Sequence, residues 1–421
     1  MDAMIRRIVG WTRFVAAVAA GGVLFACSGD RPDDTEAFLE QHWNEPLAPQ
    51  GAPPKHFSAL EASLHPEACG QCHAKEYAGW RASLHSRTMG PGIRWQLRLM
   101  DQQEGNRCLR CHAPLAEQKA LVAMERGWPN APVHSPPAYV MPDLGHQGLV
   151  CAACHVRGHQ RFGPPSRQGA VPESPHGGFV ESRAFEDSRF CAHCHQFPDD
   201  GPQIAGKLQE DTYRQWLASP YAQNGPGRQT CQTCHMPDRQ HLWRGIHDPE
   251  MTRRAVTVKL ALETTGGNRY RARARVSNSG AGHHFPTYMV PKVELVFYRR
   301  LADGSISELG RHVIGWQVDT QITHEIFDTR IPAGETREFV QPFEASDTGW
   351  RLELAVRVSP GEHYERIFRD SLNRASQFPP DAVELLRQAL AEAEGKRYEL
   401  LRTTLDMDAA VSLSRDIGIA K

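Results

Sequence analysis

The 421-residue chain carries 48 Lys and Arg against 49 Asp and Glu, a formal net charge of −1. So close a balance leaves no electrostatic footprint for nucleic acid, which is excluded as an expected partner. The unusual counts are 11 Cys and 21 His, the residue most used to hold metals.

At the N-terminus, Arg6, Arg7 and Arg13 accompany the uncharged run FVAAVAAGGVLFA (Phe14–Ala26). It has the size of a signal-peptide h-region and is too short to span a bilayer. Leu24-Phe25-Ala26-Cys27, followed by Ser28-Gly29-Asp30, resembles a bacterial lipobox. Residues 1–26 therefore read as a lipoprotein-type signal peptide, with Cys27 as the lipidation site and the membrane reached through a lipid anchor. The expected location is the periplasm, the outer membrane or the cell surface of a bacterium. Residues 27–64 read as a tether, extended where EPLAPQGAPPK (45–55) is rich in Pro.

Residues 65–250 contain Cys-x-x-Cys-His five times: CGQCH (69–73), CLRCH (108–112), CAACH (151–155), CAHCH (191–195) and CQTCH (231–235). Cysteines three apart share the face of a helical turn. They can then reach the two vinyl groups of one porphyrin while the adjacent His ligates the iron, which is the attachment chemistry of c-type haem. Zinc and redox sites compete for Cys-x-x-Cys, but neither explains a His after every second Cys. The cofactor expected is thus five covalent haems c, on Cys69 and Cys72, Cys108 and Cys111, Cys151 and Cys154, Cys191 and Cys194, and Cys231 and Cys234. The proximal ligands are His73, His112, His155, His195 and His235. Cys27 is the one cysteine outside the motifs, so no pair remains for a structural disulfide.

Gly and Pro are scattered through this region, so its helices should be short, and the porphyrins themselves would supply much of its core. Distal ligands must come from elsewhere in the chain. The candidates are His85, on a helical stripe with Tyr77, Trp80 and Leu84; His241 and His247, just after the fifth motif; His146 in DLGHQG; His176 between Pro and Gly; and His283 in GAGHHFPTY. His134 and His159 are reserves, His193 should face away from its own haem, and Met89, Met100 or Met141 could replace one imidazole. Bis-His ligation would leave iron only a change of oxidation state.

From residue 254 the pattern changes to period two. VTVKLAL (256–262), RYRARARV (269–276), KVELVFY (292–298), HVIGWQV (312–318), TREFVQPF (336–343) and RLELAVRV (351–358) predict about six strands. Turn residues such as GGN (266–268) separate them, which predicts an antiparallel β-sandwich over 254–360. DAVELLRQALAEAEGKRYELL (381–401) predicts a helix in a C-terminal helical segment, 361–421. The fold class is α+β: an irregular, mainly helical haem domain, then a β-sandwich, then a C-terminal helix.

CGQCHAKEYAGWRASLH (69–85) resembles the opening of the multihaem cytochromes c typified by cytochrome c-554. FCAHCHQF (190–197), DTYRQWLASPYA (211–222) and TCQTCHMPDRQHLWRGIHD (230–248) resemble exported multihaem proteins of this group, and GHHFPT (282–287) resembles a loop of their appended β domains. The resemblance implies that His85 ligates a haem other than that of its own motif, and that haems stack in close pairs. A fifth motif departs from the four-haem type. The function expected is electron transfer between redox partner proteins outside the cytoplasm. Two alternatives stay open: a reductase of nitrite, hydroxylamine or a sulfur oxyanion with one open haem, and a subunit of an extracellular assembly or oligomer that uses the sandwich for docking.

Overall fold

Alternation of side chains dictates the C-terminal half. The computed structural model describes residues 34–167, 169, 175–406 and 415–417; Cys27 and the signal segment lie outside them. Strands β1 (Val256–Gly266), β2 (Arg269–Asn278), β3 (Lys292–Arg300), β4 (Ile306–Ile314), β5 (Thr336–Glu344), β6 (Arg351–Ser359), β7 (Tyr398–Asp406) and β8 (Arg415–Ile417) make two antiparallel four-stranded sheets, in the orders β5-β2-β1-β8 and β7-β6-β3-β4. Period two sends Val258, Leu260, Ala272, Ala274 and Val276 from one sheet, and Val293, Leu295, Phe297, Leu352, Leu354 and Val356 from the other, into a shared core. The alternate residues stay wet. On that face Arg273 of β2 pairs with Glu263 of β1 at 2.7 Å and Glu338 of β5 at 2.6 Å, which neutralises charge across three neighbouring strands.

The tail differs from its sequence reading. Helix Glu362–Leu372 follows β6 directly, and the expected long helix covers only Pro380–Glu394. Beyond Gly395 the chain turns back as β7, which pairs with β6 and sends Leu400 and Leu405 into the sandwich core. The physical reason is that Tyr398, Leu400, Thr403 and Leu405 meet a free edge of β6, and a strand there satisfies backbone groups and buries apolar surface together. Among the described residues of the segment 361–421, the first part is therefore helical and the part after Gly395 is not.

The stretch read as a tether also packs. Thr35–His42 is a helix, and Trp43, Leu47 and Leu64 are buried with Leu115, Leu144, Val150 and Ala153. His42 Nε2 lies 2.9 Å from the carbonyl of Cys154, and Trp43 stacks on His193 with ring centroids 4.5 Å apart. The Pro-rich run keeps the backbone extended but is anchored, since the Gln50 amide donates to Glu117 at 2.6 Å.

The region carrying the motifs has short helices and several small apolar clusters in place of one core. It is joined to the sandwich by polar contacts, and Thr35–Lys421 forms one compact unit. Lys207 reaches Glu325 at 2.6 Å and Asp328 at 2.8 Å. Gln215, on helix Thr212–Leu217, donates to the Thr287 carbonyl at 3.2 Å and accepts from the His284 amide at 3.0 Å. Tyr398 Oη donates to the Ile246 carbonyl at 2.8 Å. Among the described residues no helix is long and apolar enough to cross a membrane.

Trp350 is fully buried where the two sheets meet, against Tyr270 and Phe343. Trp350→Ala should lower unfolding stability by about 3–5 kcal/mol. Denaturant titration followed by far-UV circular dichroism measures this.

Candidate metal centres

Four of the motifs are folded as one helical turn. Cys108–His112 ends helix Gln102–His112, whose start is closed by a capping box between Asp101 and Glu104. Cys151–His155 and Cys231–His235 are complete five-residue helices, the latter capped by Thr230, and Cys191–His195 ends helix Arg189–His195. The first motif begins in helix Pro66–Gly70 and turns so that His73 caps helix Ala74–Ala82. All ten motif cysteines are free of disulfides. Among the described residues no group of three or more His, Cys, Asp or Glu side chains is arranged to hold a bare metal ion.

The motif helices abut in a definite pattern. Cysteines of different motifs come close enough to influence one another's charge: Cys69 with Cys151, Cys111 with Cys194, and Cys191 with Cys231. Cys154 is within electrostatic reach of both Cys191 and Cys194. Motif one therefore adjoins three, three adjoins four, and four adjoins both two and five.

The histidines sort by which ring nitrogen is engaged. Nδ1 lies on a backbone carbonyl in His112 (Thr88, 2.7 Å), His155 (Phe162, 2.7 Å), His235 (Arg244, 2.6 Å), His241 (Arg239, 3.0 Å), His283 (His284, 2.9 Å) and His176 (Gly178, 3.1 Å). Such a bond fixes the tautomer and leaves Nε2 as the ligating atom. In His42, His65, His146, His159 and His193 it is Nε2 that is committed, to Cys154 O, Asp143, Glu125, Gly51 O and Glu45. His146 thus turns its Nε2 to Glu125 at 2.5 Å on a half-exposed surface, because the 3-10 turn Leu144–His146 packs against the helix that carries Glu125. His247 is half-buried; its Nδ1 has no partner, and Arg87 and Lys396 are its charged neighbours. His73 is exposed.

Three imidazole pairs face each other at nearly one spacing. Ring centroids are 6.4 Å apart for His85 and His195, 6.1 Å for His155 and His241, and 6.3 Å for His235 and His283. Metal–imidazole bonds are about 2 Å, so two of them plus the ring radius on each side give a centroid spacing of about 6 Å. The residues present therefore fit an iron held between two histidines, and each pair joins a motif His to a His from outside that motif. Burial pushes five of the six rings toward the neutral, ligating form. Burial holds His85 down at about 3 and His155 and His283 at about 4, with the neighbouring imidazoles adding to the effect.

Close backbone approaches set these rings. A Cβ on Gly79 would lie 3.0 Å from the His241 carbonyl oxygen, so the glycine lets helix Ala74–Ala82 press against that turn. Gly148 has φ +70°, and a Cβ there would meet the His85 carbonyl at 2.6 Å. The Leu149 amide donates to that carbonyl at 2.9 Å, and Trp80 Nε1 donates to the Leu149 carbonyl at 2.7 Å. Trp243 sits between two of the pairs, 4.5 Å from the His85 ring and 5.1 Å from that of His241.

The sequence profile of the family described as cytochrome c554 and c-prime matches residues 68–130. A penta-haem cytochrome c552 from Thermochromatium tepidum has a similar structure, with a TM-score of 0.55 and 18% identity, covering 82% of this chain and 100% of that one. No curated protein matches the chain. Residues 68–130 are thus similar to the cytochrome c554 and c-prime family, and the chain as a whole shares the fold of a multihaem cytochrome c. Its fold is that of the T. tepidum cytochrome, with a β-rich C-terminal region after the helical one.

Gly148→Ala should introduce about 1–3 kcal/mol of backbone strain. Denaturant titration should show that loss, together with a partial change from low-spin to high-spin absorption as His85 withdraws.

Proposed function

We propose that this protein is an exported cytochrome carrying five covalent haems and relaying electrons between partner proteins outside the cytoplasm. The observation that carries this reading is the set of three facing imidazole pairs, on motif helices that adjoin one another in an unbroken series. Motif histidines 73, 112, 155, 195 and 235 would be the proximal ligands and the ten motif cysteines the attachment points. Opposite them, His85 would serve the haem of His195, His241 that of His155, and His283 that of His235. His176 suits the haem of His73. Its Nε2 is free, and it is linked through Glu61 and Arg161 to the neighbourhood of Cys69.

Bound haem supplies one-electron chemistry. The protein's own part is spacing, tautomer and exclusion of water. Carbonyls on Nδ1 hold His155, His235, His241 and His283 in place, and burial favours the neutral form of these four and of His85. Adjacency of the motifs would give electrons a route one–three–four, branching at four toward two and five. The sandwich would belong to the conductor, because His283 comes from its GHHFPT loop. Cys27 and the N-terminal apolar run support secretion with a lipid anchor.

Haem content tests the count: pyridine haemochrome on the purified protein should give five per chain. Replacing His85, His241 or His283 with Ala should each convert one low-spin haem to high spin, read by electron paramagnetic resonance, and leave the haem count unchanged. An unaltered spectrum in His283→Ala would remove the sandwich from the redox chain. Cys27→Ser should move the protein from the membrane fraction to the soluble fraction.

A further inference from the structure

The last turns of two helices meet at a small open cleft of about 240 Å³. Arg94 lies in helix Pro91–Leu97, with Arg98 just past its end, and Glu125 and Arg126 close helix Ala116–Arg126. These four side chains line the cleft together with His146. The apolar part of the lining is Met89, Leu97 and Val122, all buried.

The charges here do not cancel. Arg98 pairs with Asp381, and Glu125 is engaged by His146 Nε2 at 2.5 Å, so both carboxylates are taken. Helix-end carbonyls draw on part of the remaining positive charge, since Arg126 Nη2 donates to the Arg98 carbonyl at 3.3 Å. Among the described residues Arg94 and Arg126 nonetheless have no carboxylate partner, and their Nε–H groups are buried without an acceptor. A guanidinium cannot shed its proton, and buried N–H groups and charges are normally paired. Two unsatisfied donors at one cleft, held by two different helices, call for an acceptor that carries negative charge.

The cleft is joined to the second motif through one short stretch of chain. Met89 follows Thr88, whose carbonyl engages Nδ1 of His112 at 2.7 Å. Nε2, the atom that would hold iron, points away from that carbonyl, so a porphyrin there would lie on the far side of the ring. This favours an anion from solvent over a haem propionate.

We propose that this cleft binds a compact oxyanion of the sulfate or phosphate type, held by Arg94 and Arg126 through their Nε–H groups. Arg98 and His146 act on the site indirectly, by occupying Asp381 and Glu125. The inference does not depend on haem attachment and goes beyond electron transfer.

The test uses the purified holoprotein with its haem content measured first. Calorimetric titration with sodium sulfate and with sodium phosphate, in chloride buffer at constant ionic strength, should show one saturable site per chain for at least one of the two. Arg94→Gln and Arg126→Gln should each weaken that binding by about tenfold or more, the effect of one lost charge-assisted hydrogen bond. Arg94→Lys, which keeps the charge but not the planar fork, should weaken it too. Arg271→Gln, a neutralisation at an exposed position of the sandwich, should leave it unchanged. The proposal is overturned if the wild type binds neither anion saturably, or if binding survives undiminished in all three cleft variants. It is also overturned if Arg271→Gln weakens binding as much as they do, which would mean general charge attraction. A wild type that binds neither anion, with Arg94→Gln shifting the reduction potential of one haem, would assign the cleft to a propionate and overturn the proposal in favour of that occupant.

Discussion

The bond from a histidine Nδ1 to a backbone carbonyl is the constraint on which this structure turns. A neutral imidazole can present either nitrogen, and a free side chain would sample both and rotate. One hydrogen bond of about 1 kcal/mol selects the tautomer and aims the ring. The carbonyls come from chain near the ring: Phe162 for His155, Arg244 for His235, Thr88 for His112. Each depends on a loop of fixed shape, so much of the irregular backbone between the motifs exists to place a carbonyl.

Burial works with those bonds. It makes the imidazolium form costly in His85, His155, His235, His241 and His283. His146 shows the opposite case. It sits at the surface with Nε2 on Glu125, where a carboxylate engages the nitrogen that a metal would need. His85 is the exception among the paired rings, since it faces His195 with its buried Nδ1 unpartnered.

The β-sandwich is more than an appendage to the motif-bearing half. Its core is self-sufficient, formed by alternating residues of two sheets. The loop that faces the motifs carries His283, whose ring pairs with that of His235. Lys207 and Gln215 fasten this side of the sandwich through side-chain contacts with Glu325, Asp328 and Thr287. A rigid sheet thus positions side chains on loops, where precision comes from the scaffold and chemistry from the loop.

The sequence by itself marked the candidate attachment points, because two thiols and one imidazole must be contiguous to grip one porphyrin, and contiguity is visible in a string of letters. It also determined the sandwich strands, since period two needs only local alternation. The C-terminal strand Tyr398–Asp406 was hidden, because its residues suit a helix until a free strand edge is available. The imidazole pairs were decided only in three dimensions. His85 meets His195, and His283 meets His235, across distances in the chain that no local pattern encodes. Which nitrogen of each ring is free depends on a carbonyl or carboxylate supplied by tertiary packing.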